Sequence, residues 1–139
     1  PSTPTPLYRN EGRATPRAAL QTFAWACDQG DATLVRGLIE FDRGARMKAE
    51  AWWAGAPDAQ AQWRSLDEMA AALLTFAGMS RPFPDAELLE QVPMAELGKD
   101  RVRLSVPGRE PMEFQRAADG WRHAITEAMV DQFIQRRGG

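Results

Sequence analysis

The segment RAADGWRHAI, positions 116 to 125, holds the only histidine of the chain, His123, just past an Asp-Gly pair and two residues after Trp121. A lone imidazole works as a general base only if a proton to abstract and an orienting partner lie within hydrogen-bond reach. Residue types that could assist are present: Arg116 as an electrophilic or anion-binding partner, and Asp28, Asp42 or Glu50 as an acid brought in from elsewhere. Each acid also has a simpler reading. Asp28 falls near the end of a helix, Asp42 at the start of another, and Glu50 follows Arg46 at the i,i+4 spacing of a surface ion pair. His123 could equally donate one hydrogen bond to a backbone carbonyl and fill a sheet. The residues favour that structural reading, so no catalytic set is assigned; His123 and Arg116 stand as the candidates for one.

Other chemistries find less. Cys27 is the sole cysteine, so no intrachain disulfide can form, and one histidine without a cysteine cluster offers no metal-ligand spacing. No cofactor motif is present and no cofactor is expected. The 17 Lys and Arg residues against 19 Asp and Glu, with Lys48 and Lys99 the only lysines, make no basic footprint for nucleic acid. No apolar run of about 20 residues exists to cross a bilayer. Residues 1–12, opening with PSTPTP, have the composition of a Pro/Thr-rich linker or tether, of the kind that follows an anchor, a cleaved leader or another domain. A single domain is expected over 13–139, a length that can enclose one hydrophobic core.

The elements that must position these residues begin with a helix over 16–29. Thr15 is its N-cap, Pro16 suits the first helical position, and Gly30 ends it. Leu20, Phe23, Ala24 and Cys27 share one face, which makes Cys27 a small buried hydrophobe, while Trp25 points about 140° away from Leu20. Asp31 caps a short second helix with a stripe of Leu34, Val35, Leu38 and Ile39. A third is expected over 45–54, carrying Trp52 and Trp53, and a fourth from the Ser65/Glu68 capping box to Gly78, with Leu66, Met69, Ala70, Leu73, Leu74 and Ala77 on one face.

Beyond RPFPDA the period changes. Positions 88–97, 101–106, 112–118 and 121–126 read as four antiparallel strands of a meander, and a last helix is expected over 127–136. Pro93 cannot donate to a ladder, so the first strand belongs at an edge or contains a bulge. Val102, Leu104 and Val106 alternate with Arg101, Arg103 and Ser105, one face apolar and one wet. A two-residue Asp119-Gly120 turn would pair Ala118 with Trp121, Arg116 with His123 and Phe114 with Ile125, turning His123 toward aromatic rings on the covered face. Burial and a nearby cation both favour the neutral imidazole there.

The capped helical hairpin with GD between its arms, followed by strands ending in EFQRAADGWRHAI, resembles the NTF2-like (SnoaL-like, cystatin-like α+β) superfamily over residues 14–41 and 101–126. That resemblance implies an α+β fold in which about four N-terminal helices pack on a bent four-stranded sheet, with a short C-terminal helix and a cone-shaped pocket. It also implies a pocket used by isomerases, dehydratases and hydrolases, or by members without catalysis. Positions 43–80 depart from it, being helical where many relatives have an early hairpin, and the usual catalytic Asp or Tyr finds no counterpart. Helix-rich versions are similar to accessory modules of bacterial proteins, which implies a bacterial chain, either exported behind its tether or cytoplasmic.

Two functions from different classes follow. The first is a non-catalytic ligand-binding or assembly module, whose partner is a protein or small apolar ligand and which can form a homodimer or part of a larger assembly. Its support is the aromatic density: Trp25, Trp52, Trp53, Trp63, Phe76 and Phe83 crowd the helical half, and adjacent Trp52 and Trp53 must diverge on a helix. Trp25, Trp52, Trp53, Trp63, Phe114 and Trp121 are the expected pocket or interface residues, with one of Trp52 and Trp53 in the core and the other outward. The second is a small pocket enzyme using His123 in acid-base chemistry.

Overall fold

A computed structural model of the chain describes residues 7–137. Helix α1 (Pro16–Asp28) starts as its sequence dictates: the Thr15 hydroxyl accepts from the amide of Ala18 at 3.1 Å, and Pro16 sits where no amide is needed. Asp31 caps α2 (Ala32–Arg36) by accepting from the amides of Thr33 and Leu34. This helix is shorter than its apolar stripe suggests. It stops before Gly37, and Ile39 lies instead on a strand, β1 (Ile39–Phe41).

Helix α3 (Arg43–Ala54) follows, then α4 (Pro57–Gln62), a short helix that starts within the expected break at GAPD. In α5 (Leu66–Ser80) the Ser65 hydroxyl caps the amide of Glu68 at 3.1 Å, while the Glu68 carboxylate reaches one residue further back, to the amide of Arg64. The strand expected over 88–97 begins later. Asp85 caps a short helix, α6 (Ala86–Leu89), so β2 (Met94–Gly98) starts after Pro93. It is an edge strand with an irregularity between Glu96 and Gly98, and the proline costs it no ladder bond.

Strands β3 (Arg101–Leu104), β4 (Met112–Ala117) and β5 (Gly120–Ile125) continue antiparallel, and α7 (Glu127–Arg136) closes the described chain from its Thr126 cap. The sheet has five strands in the order β1-β5-β4-β3-β2, because β1 adds parallel to β5; it is mixed and open rather than four-stranded and antiparallel. A three-residue strand gave no alternation long enough to read. The amide of His123 donates to Leu38 O and that of Asp42 to Ile125 O, which fixes β1 against β5.

The closing hairpin differs from expectation by two residues in its pairing. Ala117 pairs with Gly120, Arg116 with Trp121 and Phe114 with His123. Gly120 is needed elsewhere than in the tip: at φ +129° it lies under the backbone of Arg13, whose carbonyl oxygen would be 2.6 Å from an added Cβ, and the next amide, Trp121, donates to that carbonyl. A shift of two leaves every side chain on its expected face. It changes which residue faces which.

One row of side chains, Val102, Phe114, His123 and Ile39, crosses four strands on the covered face, all of them buried. Helix α1 lies over it with Leu20, Phe23, Ala24 and Cys27, as the helical spacing requires. Residues 1–6 of the expected tether lie outside the described residues, but its later part is not free of the domain. Tyr8 is buried and donates its hydroxyl proton to Phe83 O at 2.5 Å, and the amide of Glu11 donates to the Thr22 hydroxyl. Among the described residues the segment ahead of α1 thus packs against the domain at Tyr8, because a tyrosine with a buried hydrogen-bond partner secures the segment before it reaches the first helix.

Candidate functional site

His123 is 4% exposed and enclosed by aromatic rings, Phe23 edge-on at 5.2 Å and Phe114 tilted at 5.4 Å between centroids. Its Nδ1 lies 3.0 Å from Glu113 O; a carbonyl only accepts, so Nδ1 carries the proton and donates. Burial, reinforced by the cations of Arg101 and Arg109, pushes the imidazole below its usual range and keeps it neutral. The orienting hydrogen bond is present, but the walls are hydrocarbon rings.

The supporting residues do not gather there. Arg116 does not face His123: it is exposed, stacks over Trp121 at 5.0 Å from the ring centre and approaches Asp100 at 3.5 Å. Asp28 is exposed at the end of α1. Asp42 stands at the N-cap position of α3 but caps nothing with its side chain, which instead forms a two-pronged pair with Arg101 at 2.6 and 2.8 Å. Arg101 is held also by Glu113, and these two carboxylates raise its pKa above the usual guanidinium range. Glu50 pairs with Arg46 as its spacing implies. Among the described residues, no three His, Cys, Asp or Glu side chains cluster as metal ligands.

The aromatic candidates separate. Phe114 and Trp121 are core residues. Trp25, Trp53 and Trp63 are half-buried against the core, and so is Trp52. The expected division of Trp52 and Trp53 into one core and one outward ring is thus not what the helix does. Helix α3 lies over the edge of the core, where two divergent positions each keep one side covered. Of the six, Trp52 alone lines an apolar cavity between α3, α5 and α7.

That cavity is a groove of about 120 Å³ with almost wholly apolar walls. Its floor is Phe41 of β1 and Ile125 of β5, the parallel pair at the sheet edge. Helix α3 supplies Ala49 and Trp52, and the indole meets Phe133 of α7 edge-on at 4.9 Å. One wall is α5 with Leu66, Met69, Leu73 and Leu74; the opposite wall is α7 with Met129, Val130, Phe133 and Ile134.

Sequence reasoning named only Trp52 of these residues as a site; it read the stripe of Leu66, Met69, Ala70, Leu73, Leu74 and Ala77 as one face of a helix and did not say what that face would cover. In the fold α5 also presses a smaller face, Ala71, Thr75 and Gly78, against its neighbours. Gly78 makes this possible: a Cβ there would lie 2.7 Å from both Cβ and Sγ of Cys27 on α1. Leu73 and Leu74 are left half-buried along the groove, and Phe76, one turn beyond Leu73, is 69% exposed. The available signal was a helix apolar on all sides, with small residues on one flank and leucines on the other.

A second, more polar recess of about 300 Å³ lies beside the start of α1 and includes Arg116, Trp121, Lys99 and Glu96. It is wider than the apolar groove, but Arg116 there already stacks on Trp121 and approaches Asp100. Cys27 is buried against Leu74 O, and burial pushes its thiol up to about 12. No described helix is long and apolar enough to cross a membrane. Compared with known proteins, the chain matches no family model, no curated protein and no solved structure.

Proposed function

We propose that this domain is a non-catalytic interaction module that receives apolar side chains of a protein partner in the groove between α3, α5 and α7. The observation that carries the reading is the size and chemistry of that groove. About 120 Å³ is the scale of one ring or one branched aliphatic side chain, near the cavity size that holds a benzene, and well below the roughly 300 Å³ at which small-molecule pockets begin. A pocket for a metabolite also carries a few placed polar groups, and these walls have almost none. Aromatic Trp52, which anchors well at interfaces, completes the wall.

Kinship with the NTF2-like superfamily is part of the same proposal. It draws support from α1 lying over a sheet whose later strands are antiparallel neighbours, and from the helical hairpin that precedes it. On that reading the groove, where the helices of positions 43–80 meet α7, is the working surface, and His123 helps to shape the core.

A photo-crosslinking residue placed at Leu73, compared with one at exposed Gln135, tests the proposal in the source cell. The module reading expects a discrete protein adduct from position 73 that disappears when Trp52→Ala is added. Equal adducts from both positions, or none from position 73, would overturn it.

A further inference from the structure

Asp42 stands where a helix takes its cap, and it does not cap. Of the seven described helices, α1, α2, α5, α6 and α7 each begin with a side chain that accepts from a first-turn amide, and α4 begins at Ala56, which has no side-chain oxygen. Only α3 has a capping residue type at its N-cap and leaves it unused. The backbone is ready for the task. Asp42 is extended, with φ −62° and ψ 151°, as an N-cap is, so rotation of the side chain alone would turn its carboxylate toward the first-turn amides of α3. Arg101 holds that carboxylate away. Its three guanidinium nitrogens are spent on both oxygens of Asp42, on Glu113 at 2.8 and 3.0 Å and on Gln115 at 3.3 Å. Two strands separate β3, which carries Arg101, from β1, whose last residue, Phe41, precedes Asp42 and floors the groove.

Glu127 rests against the first turn of α3 instead. A Cβ on Gly44 would lie 2.8 Å from Cδ of Glu127 and 3.0 Å from both its oxygens. Gly44, Lys48 and Trp52 stand one turn apart along α3 and meet Glu127, Asp131 and Phe133 of α7. The glycine does so by that close approach, Lys48 by lying 3.5 and 3.2 Å from the two carboxylates, and Trp52 by its edge-on contact. This seam sets how far apart the α3 and α7 sides of the groove stand. A carboxylate turned in from Asp42 would compete with Glu127 for the same helix end, where one negative charge is favourable and two at close range repel.

Resting on the groove as the working surface, we infer that the Arg101–Asp42 pair is a latch that keeps the groove narrow. Latched, Asp42 is withheld from α3 and Glu127 seats α7 against it. Released, Asp42 caps α3, Glu127 gives way, and the start of α7 moves off α3. One carboxylate cannot do both, so the element has two states. An apolar group that fits the wider groove better favours release, and by linkage loss of the Arg101 pair strengthens its binding. Filling the groove is thereby felt at Arg101, which projects from β3 on the side opposite buried Val102.

Nuclear magnetic resonance of the whole chain tests this, with benzene as the probe because its size matches a cavity of about 120 Å³. In Arg101→Gln the amide of Ala45 should exchange about fivefold more slowly as Asp42 takes up the cap. The Trp52–Phe133 Overhauser contact should weaken, and benzene should bind about threefold more tightly. Arg101→Lys, which cannot fork across two carboxylates, should fall between. Adding Asp42→Ala to Arg101→Gln should return the contact and the affinity to wild-type values, because no carboxylate is left to displace Glu127.

Unchanged exchange at Ala45 in Arg101→Gln would overturn the latch. So would a double variant that keeps the weakened contact, since a loosened sheet would then explain both proteins. Equal benzene affinity in wild type and Arg101→Gln, with the contact weakened, would remove the control of the groove by Arg101. Benzene bound by none of the proteins, with the exchange and contact changes as expected, would support the latch and overturn the reading of the groove as a binding surface.

Discussion

His123 and Cys27 are the two side chains with intrinsic reactivity that the fold takes out of water, and their burial predicts opposite kinds of silence. A buried imidazole whose pKa is lowered resists protonation in the folded state, while the unfolded chain takes up a proton near the ordinary value of 6.5. The unfolded state then binds more protons, so stability should fall as pH drops below about 6.5, with a slope of at most about 1.4 kcal/mol per pH unit. Urea unfolding at about pH 7.5 and about pH 5 measures this, and the His123→Gln variant should lose less stability over that window than the wild type. Asp119, held below its usual range by Arg13 and Arg122, contributes only at more acidic pH, so it does not blur the comparison. For Cys27, a thiol pushed from 9.0 to about 12 has roughly a thousandth of the ordinary thiolate fraction. A disulfide reagent at about pH 8 should react with it far more slowly in the folded protein than in urea; equal rates would mean that α1 and α5 open readily over the thiol.

At the scale of elements, two glycines decide how closely the pieces approach, for different reasons. Gly78 lets α5 reach α1, and Gly78→Ala forces a methyl against Cβ and Sγ of Cys27, of which Cβ is fixed to the backbone and cannot turn aside. Its expected cost is about 1–3 kcal/mol of unfolding free energy, the range for overpacking a filled core, although alanine is the better helix former. Gly120→Ala meets both a left-handed φ of +129° and the carbonyl of Arg13, so about 2 kcal/mol or more should be lost. Denaturation midpoints of both variants read this directly. No change at Gly120 would mean that the N-terminal segment does not lie across the hairpin.

For the whole molecule, the question is whether stability and binding can be separated, since a module needs a surface its own fold can spare. Trp52 and Trp53 are both half-buried, so alanine at either position should cost a similar, moderate amount, about 1–2 kcal/mol, well short of the loss from emptying a core site. Only Trp52 lines the groove. Trp52→Ala should therefore abolish capture of an apolar anchor, and Trp53→Ala should leave it within about twofold. Paired urea and peptide titrations check both halves of the statement. A loss of binding in both variants would mean that the surface extends around α3 rather than lying between α5 and α7.

What the chain carries in its own sequence is the set of decisions made within a few residues. The caps at Thr15, Asp31 and Ser65, the α1 face of Leu20, Phe23 and Cys27, the alternation of Val102 and Leu104 with arginines, and the last helix all form as local chemistry and period demand. The burial of His123 beside rings was legible for the same reason, because parity along a strand survives an error of two in register. What local pattern could not decide was any choice between two apolar faces or two distant partners. Whether Leu73 and Leu74 or the small residues Ala71, Thr75 and Gly78 of α5 would enter the core depended on how near α1 could come, and that depended on Gly78 meeting Cys27, 51 positions away. The pairing of β1 with β5 likewise joins segments far apart in the chain, and the placement of Arg116 on Trp121 follows from the register of the closing hairpin. The groove exists where three helices and a parallel strand pair converge, so it is a property of tertiary packing, and its residues became a set only when the chain folded.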